Sequence, residues 1–264
     1  MAHDDRLQTT ASDGELTADV VETPSVSVII PAFNEADYIR ETLDRLGVAE
    51  QRLEAVAHAS VQILVVDNAS TDRTAEVAEG AGATVLYEAE HNIVRVRNAG
   101  AAIALHDILI FLDADTLVPP GLLLKIAQTM TDPTCAGGAV DTLYRPRSFL
   151  LRAYLRGWRV VGLLAGMAQG ACQFCRRNVY QDLPPKDATQ YMGEDVDFHW
   201  RLKRLARQRG LRTSFIQELQ VTPSPRRFDR WPMWRCLIWT NPFLVLALRH
   251  RKAAWEGWYG EAPR

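Results

Sequence analysis

An apolar run that leads directly into two carboxylates constrains the fold of this chain more than any other stretch. The run is Ile108–Leu112, and Asp113-Ala114-Asp115 follows it without a break. A continuous apolar segment of this length is typical of a strand buried on both faces of a parallel sheet. Open parallel sheets bind their ligands at the carboxyl ends of such strands. An isolated pair of aspartates is more often a solvated turn, so the neighbouring strands decide whether this pair holds a cation.

Strand and helix patterns alternate through the first half of the chain. Strands are predicted at residues 25–30, 61–66, 84–87 and 108–112. Helices are predicted at about 36–46, at 71–79, at 96–105 and after Pro119-Pro120. Ser70 or Thr71 is expected to cap the second of these helices. Residues 48–60 are expected to form a helical extension or an insertion. This rhythm predicts a mainly parallel sheet with right-handed crossovers.

Acidic residues follow three of these predicted strands. Glu35 comes after the first, Asp67 after the second, and Asp113 and Asp115 after the fourth. Because parallel strands end at one edge of a sheet, these groups are expected to share a crevice that holds a polar ligand and a cation. The dinucleotide Gly-x-Gly-x-x-Gly pattern and the Walker-type loop are both missing, so a phosphate must be held by metal and side chains, with Arg97 as a candidate.

The ordered set of motifs resembles the GT-A glycosyltransferases of family 2. The resemblance lies in residues 28–35, 65–74, 97–100, 111–116 and 192–198, within the span 25–228. It implies transfer of a sugar from a nucleoside-diphosphate sugar to an acceptor hydroxyl with inversion at the anomeric carbon. The Gln-x-x-Arg-Trp signature of processive polysaccharide synthases is missing, so transfer of a single sugar is expected. It also implies a Rossmann-like, mainly parallel sheet flanked by helices, with a mixed acceptor-side half and a C-terminal helical segment.

The resemblance divides the chain as follows: a flexible acidic tail at 1–24, a nucleotide-sugar half at 25–118, an acceptor and catalytic half at 119–228, and a Trp/Arg-rich helical segment at 229–264. The two halves of the GT-A domain belong to one unit.

Roles on the donor side are carried over residue by residue. The resemblance implies a nucleoside pocket lined by Pro31, Phe33 and Glu35, with Asp67 bonded to the base. Arg97 is expected near the base or the diphosphate. Asp113 is expected near the ribose and the metal, and Asp115 as the direct ligand of Mg²⁺ or Mn²⁺. Oxygen ligands and a diphosphate suit such a hard divalent ion.

Roles on the acceptor side fall on one predicted helix start. The resemblance implies Asp195 as the general base and Glu194 as a residue that orients the acceptor or the base. Alone, both acids would be read as first-turn residues that complement a helix dipole. Many metal-dependent relatives carry a downstream histidine, but residues 221–228 contain none. Arg226 or Arg227 is the candidate diphosphate contact there, and a third protein ligand for the metal is not identified.

The second half of the chain is basic. Residues 1–144 carry 8 Lys and Arg against 23 Asp and Glu, whereas residues 145–264 carry 22 against 9. Arg152, Arg156 and Arg159 share one face of a predicted helix, and five of the seven tryptophans lie in the last 34 residues. This pattern suits packing on the domain, a homodimer, or peripheral contact with a membrane that carries a lipid-linked acceptor. No nucleic-acid motif accompanies the charge.

Further expectations concern location and chemistry. The N-terminus lacks an apolar signal segment, and the four cysteines read as buried thiols, so a cytoplasmic protein is expected. If the protein binds lipid, it is expected at the inner face of the membrane. His199 and the basic residues from Lys203 to Arg209 read as packed or solvated helix residues.

Two alternatives from other classes stay open. A sugar-nucleotide nucleotidyltransferase uses a similar pocket, but it usually has a Gly-rich basic loop that residues 31–35 lack. A catalytically silent nucleotide-sugar-binding module would not need the candidate base.

Overall fold

The computed structural model describes residues 23–164, 166–168, 170–183 and 194–241. The predicted acidic tail at 1–24 lies almost entirely outside the described residues. The part of the predicted C-terminal segment from 242 to 264 also lies outside them.

Within these ranges the chain forms eight strands and nine helices. The strands are β1 Val26–Ala32, β2 Val61–Asp67, β3 Thr84–Tyr87, β4 Ile108–Leu112, β5 Thr116–Leu117, β6 Cys135–Thr142, β7 Cys172–Arg176 and β8 Arg212–Pro223. The helices are α1 Ile39–Ala57, α2 Thr74–Gly80, α3 Ile93–Ile103, α4 Leu122–Met130, α5 Phe149–Leu164, α6 Arg177–Gln181, α7 Glu194–Gln208, α8 Arg226–Arg230 and α9 Met233–Trp239.

The strands lie in the order β3-β2-β1-β4-β7-β6-β8-β5. The first four are parallel, β7 is antiparallel to both β4 and β6, β6 and β8 are parallel, and β5 is antiparallel to β8. The predicted parallel first half and mixed second half are confirmed. Register pairs Ala32 with Asp67 and Ile29 with Phe111, so β1, β2 and β4 end at one edge.

Strand β4 separates two hydrophobic cores, because its side chains alternate between the two faces of the sheet. Ile108, Ile110 and Leu112 pack with the core that contains α1 and α4. Leu109 and Phe111 pack with the core that contains α3 and α7. All five β4 residues are at most 1% exposed, which confirms the prediction of a strand buried on both faces.

Helix boundaries differ from the predicted ones where loop side chains bind the backbone. Helix α1 begins at Ile39 rather than near residue 36 and runs to Ala57, so residues 48–57 continue the helix. Helix α3 begins early, at Ile93, because the side chain of Asn92 accepts hydrogen bonds from the amides of Val94 and Arg95. Close packing of α3 on the sheet depends on Gly100, where an added Cβ would lie 2.5 Å from Cγ2 of Ile29.

Helices α5 and α9 pack against each other at the edge of the second half. Leu151, Trp231 and Cys236 form a small buried cluster, and the hydroxyl of Tyr154 donates to the carbonyl of Leu237. Several large apolar side chains on the outer surfaces of the two helices remain exposed: Phe149, Leu150, Val160, Val161, Leu164, Met233, Trp234, Leu237 and Ile238. In the part of the chain that the structure describes, no helix meets the length and hydropathy needed to cross a membrane. Membrane contact or a homodimer through these helices stays a prediction.

The four cysteines are buried free thiols, as expected from the sequence. Cys172 and Cys175 lie on β7 inside the sheet, where burial raises their pKa values. They are therefore core residues.

Candidate active site

The loops after β1 and β2 are joined by side-chain hydrogen bonds at the carboxyl edge of the sheet. Asn34, which has a φ of 53°, donates its amide to Oγ of Ser70 at 2.9 Å and accepts the amide of Thr71 at 2.7 Å. The hydroxyl of Thr74 accepts the amide of Glu35 at 2.8 Å. Ser70 and Thr71 therefore bind the first loop, and α2 begins only at Thr74, with Arg73 in the capping position instead of the predicted Ser70 or Thr71.

Asp67 ends β2 as a buried carboxylate with one unused oxygen. The side chain is 4% exposed, and Oδ2 accepts the amide of Ser70 at 3.4 Å. Oδ1 is buried and has no hydrogen-bond partner among the described residues. A buried acceptor without a donor is costly, so this oxygen is suited to a donor group on a ligand.

Arg97 is held over the face of an aromatic ring. Its guanidinium carbon lies 5.6 Å from the centroid of Phe111, two residues before Asp113, and the residue is 7% exposed. Nε is buried without a hydrogen-bond partner in the described part of the chain. This placement brings a positive charge to the β4 end of the crevice.

Arg226 unites two carboxylates that are far apart in sequence. Its guanidinium group donates two hydrogen bonds to Glu35, from Nη1 at 2.6 Å and from Nη2 at 2.5 Å. Nη2 also lies 3.3 Å from Oδ2 of Asp115, and the group stacks over the ring of Tyr38 at 4.3 Å. Arg226 is only 8% exposed, so the three charges form a buried ionic cluster.

The position of Arg226 follows from strand pairing. Strand β5 pairs with β8, so that Thr116 lies opposite Pro223, and the amide of Ser224 donates to the carbonyl of Asp115 at 2.9 Å. This pairing brings the start of α8 next to Asp115.

Burial raises the pKa values of Glu35 and Asp115, and the positive charges of Arg226 and Arg227 partly oppose this rise. Glu35, predicted to line the nucleoside pocket, is thus an ion-pair partner of the predicted diphosphate contact Arg226.

Asp113 and Asp195 are brought together through two adjacent residues. The amide of Asp113 donates to the carbonyl of Ala171 at 3.1 Å. At Gly170, the preceding residue, an added Cβ would lie 2.1 Å from Cβ of Asp195. The side chain of Gln173 on β7 donates to the carbonyl of Asp195 at 2.9 Å, which fixes the first turn of α7 against the sheet. The candidate base therefore lies beside the end of β4.

Tyr144 is a site residue that the sequence analysis missed. It follows β6 by two residues and packs edge-on against Phe228 of α8, with centroids 5.1 Å apart. Burial raises the pKa of Tyr144, and the negative charges of Asp113, Asp115 and Asp195 raise it further. The phenol therefore stays protonated at neutral pH among the three carboxylates. A single tyrosine after a strand carries no motif, so only the fold reveals it.

The remaining predicted residues occupy less informative positions. Pro31 is the half-buried penultimate residue of β1, and the ring of Phe33 lies edge-on to His91 at 4.5 Å between centroids. Glu194 is the first residue of α7. His199 is 4% exposed, and burial lowers its pKa to about 4, so it is a neutral packed residue as expected. Lys203 is not simply solvated, since Nζ donates to the carbonyl of Gly166 at 3.2 Å.

The donor set fits a divalent metal ion with few protein ligands. Asp113 and Asp115 supply hard carboxylate oxygens, and one ion pair with Arg226 uses only part of the acceptor capacity of Asp115. Among the described residues no group of three or more His, Cys, Asp and Glu side chains is placed to hold a metal. The remaining ligands of an ion at this pair would be diphosphate oxygens and water.

Replacing Gly170 by alanine is expected to lower turnover about 100-fold, because the new Cβ displaces Asp195 from its position beside β4. Nucleotide binding, which is predicted to depend on residues after β1 and β2, is expected to persist. Gly157→Ala is the matched control, since an added Cβ there has no atom within 4 Å. Steady-state turnover and nucleotide-induced thermal shifts measure the two effects. Equal turnover of the two variants would show that Gly170 does not position Asp195.

Comparison with known proteins identifies the family. The model described as "Glycosyl transferase family 2" matches residues 27–184, more than half of the chain. The chain belongs to glycosyltransferase family 2. Among its curated relatives, an N-acetylglucosaminyltransferase of Rhizobium leguminosarum bv. viciae is 30% identical over 214 residues, which cover 73% of this chain and 49% of that protein. This family 2 chain spans about half or less of the length of three curated relatives that it matches.

Solved structures confirm the predicted GT-A fold. One is the mannosyltransferase PcManGT from Pyrobaculum calidifontis in complex with GDP-Man and Mn²⁺, with a TM-score of 0.54 and 23% identity over 75% of this chain and 56% of that one. Another is glucosyl-3-phosphoglycerate synthase from Mycobacterium tuberculosis with Mn²⁺, UDP and glucosyl-3-phosphoglycerate. Its TM-score is 0.58, with 17% identity over 92% of this chain and 85% of that one.

Proposed function

We propose that this family 2 protein transfers one sugar from a nucleoside-diphosphate sugar to an acceptor hydroxyl, with inversion at the anomeric carbon. The observation that carries the proposal is that the neighbouring residues Gly170 and Ala171 each contact one of the aspartates. The carbonyl of Ala171 accepts the amide of Asp113, and Gly170 packs against the side chain of Asp195. These contacts bring the candidate metal carboxylates and the candidate base to one edge of the sheet. We therefore assign to this one site the pair of functions that inverting transfer needs.

On the donor side, the unused oxygen of Asp67 accepts an N–H group of the base, in the crevice formed by the Asn34 and Ser70 loops. Asp113 and Asp115 would hold Mg²⁺ or Mn²⁺, which when bound would supply positive charge for the diphosphate leaving group. Arg97 supplies a further positive charge. Because Arg226 is engaged by Glu35 and Asp115, we assign it the role of positioning Asp115 and keep the predicted diphosphate contact for Arg227.

On the acceptor side, Asp195 removes the proton of the acceptor hydroxyl as the oxygen attacks the anomeric carbon. The new carbon–oxygen bond forms opposite the bond that breaks, and the electron pair of the broken bond leaves with the nucleoside diphosphate. Tyr144 stays protonated and offers a hydrogen-bond donor beside the carboxylates. Glu194, at the start of the same helix, is assigned to orient the acceptor or the base.

A thermal-shift panel of UDP-, GDP-, dTDP- and CDP-sugars, with and without Mn²⁺, tests the donor site. One nucleotide class is expected to raise the Tm by about 5 °C at saturating concentration, and only when metal is present. Asp115→Asn is expected to abolish the dependence on metal, whereas Asp182→Asn at a surface ion pair is expected to keep it. If no nucleotide stabilised the protein and metal made no difference, the proposal would be wrong.

The same samples separate the two alternatives. A sugar-nucleotide nucleotidyltransferase would release pyrophosphate from a nucleoside triphosphate and a sugar phosphate, which a pyrophosphate assay detects. A silent binding module would show the nucleotide shift without any turnover of the donor.

A further inference from the structure

A groove lies beside the candidate active site, between the segment after β6 and the first turns of α5. Its volume is about 370 Å³. It is lined by Leu143, Tyr144, Arg145, Phe149, Arg152 and Arg156. Three of these six residues are arginines, and none of the six has a role in the donor site proposed above.

Within the described residues, the three arginines of the groove have no acidic partner. Among the described residues, no carboxylate forms an ion pair with Arg145, Arg152 or Arg156. Arg159, on the same helix, shows the contrast, because it forms a two-point ion pair with the buried carboxylate of Asp141, with Nε at 2.7 Å from Oδ1. The predicted arginine face of α5 is thus divided between one structural residue and two that face the groove. Three like charges around one concavity favour an anionic ligand.

The groove leads to the catalytic carboxylates through Tyr144. The ring of Tyr144 packs on Phe228 of α8, and α8 carries Arg226, which contacts Asp115. Burial raises the pKa of Tyr144, and the nearby negative charge of Asp195 adds to that rise. Tyr144 is therefore a shared neighbour of the groove and of the candidate base.

We propose that this groove binds the phosphoryl group of the acceptor and directs the acceptor hydroxyl to Asp195. The inference rests on the proposed glycosyl transfer and adds the chemical class of the acceptor, a phosphorylated compound. Guanidinium groups bind phosphate oxygens through paired, charge-assisted hydrogen bonds. Leu143 and Phe149 add an apolar wall, and Phe149 is continuous with the exposed outer surface of α5. The phosphoryl group therefore belongs either to a soluble acceptor or to the head group of a lipid.

Calorimetry on the full chain tests the groove, with the nucleoside diphosphate and Mn²⁺ present so that the donor site is filled. Glycerol phosphate is the soluble probe and glycerol its control. Phosphatidylcholine vesicles with and without phosphatidic acid are the lipid probe. Wild-type protein is expected to bind at least one phosphate probe and neither control. Binding of glycerol phosphate indicates a soluble acceptor, and binding of phosphatidic acid alone indicates a lipid head group.

The double variant Arg152→Ala/Arg156→Ala is expected to weaken that binding at least about tenfold, and Arg156→Glu, at an exposed position, is expected to weaken it similarly. Arg204→Ala, at an exposed arginine on α7, is the matched control and is expected to bind as wild type does. The nucleotide-induced thermal shift is expected to persist in every variant, which separates failure of the groove from failure of the donor site. Three results would overturn the inference. The wild-type protein binds no phosphate probe, both groove variants bind as the wild type does, or Arg204→Ala loses as much binding as they do.

Discussion

Replacing Asp195 by asparagine is expected to lower turnover by a factor of about 10² to 10⁴ while leaving donor affinity unchanged. Asparagine has nearly the same shape, so the space against Gly170 and the hydrogen bond from Gln173 to the carbonyl at position 195 are kept. What is lost is the acceptor for the hydroxyl proton. Donor turnover and the nucleotide-induced thermal shift, measured on the same preparation, report the two quantities separately.

Asp197→Asn is the matched control on the same turn of α7. Asp197 pairs with Arg201 at 3.1 Å along the helix, so its removal is expected to change stability slightly and turnover little. A silent binding module would be indifferent to both substitutions. Wild-type turnover in Asp195→Asn, or equal losses in both variants, would exclude Asp195 as the base.

Arg226→Met is expected to lower the free energy of unfolding by about 3–5 kcal/mol at neutral pH, because it leaves two buried carboxylates without their cation. Burial already holds the pKa values of Glu35 and Asp115 above their usual range with Arg226 present. Without the guanidinium group both pKa values rise further. Urea unfolding followed by fluorescence measures the loss.

The loss is expected to depend on pH with a definite sign. A carboxyl group whose pKa is higher in the folded than in the unfolded protein stabilises the fold at low pH, and this contribution disappears as the pH rises through the folded-state pKa. The variant is therefore expected to approach wild-type stability near about pH 4 and to lose the full amount at neutral pH.

Two further variants test the cause of this loss. Glu35→Gln in the Arg226→Met background is expected to recover part of the stability, because one buried charge is removed. Arg40→Met, at an exposed i, i+4 ion pair with Asp44, is expected to cost less than about 0.5 kcal/mol. A loss for Arg226→Met that is the same at acid and neutral pH would contradict the ionic explanation.

The donor half of the site was predictable because its residues follow strands that the sequence shows clearly. The apolar run before Asp113 specifies a buried parallel strand, and parallel strands place their ends at one edge. Asp67 and Arg97 were likewise named from their motifs, and both are buried. Their detailed roles remain predictions, since residue type and position do not specify a ligand contact.

The acceptor half was less predictable because its contacts join distant segments without a local pattern. Gly170 matters only because α7 packs against it, and Tyr144 only because β6 ends near α8. The i, i+4, i+7 spacing of Arg152, Arg156 and Arg159 indicated one common face. Whether each arginine meets a carboxylate depends on where Asp141 lies in the sheet.

The sequence by itself determined the strand that carries Asp113 and Asp115, the edge at which they lie, and the family to which the motifs belong. Hydrophobic pattern and motif order are local properties, and they are sufficient for these conclusions. Only the tertiary structure decided that Arg226 binds Glu35 and Asp115, that Gly170 leaves room for Asp195, and that three arginines beside Tyr144 have no ion-pair partner among the described residues. These features depend on contacts between side chains that strand pairing and helix packing bring together. Such long-range contacts produce no periodic pattern in the sequence.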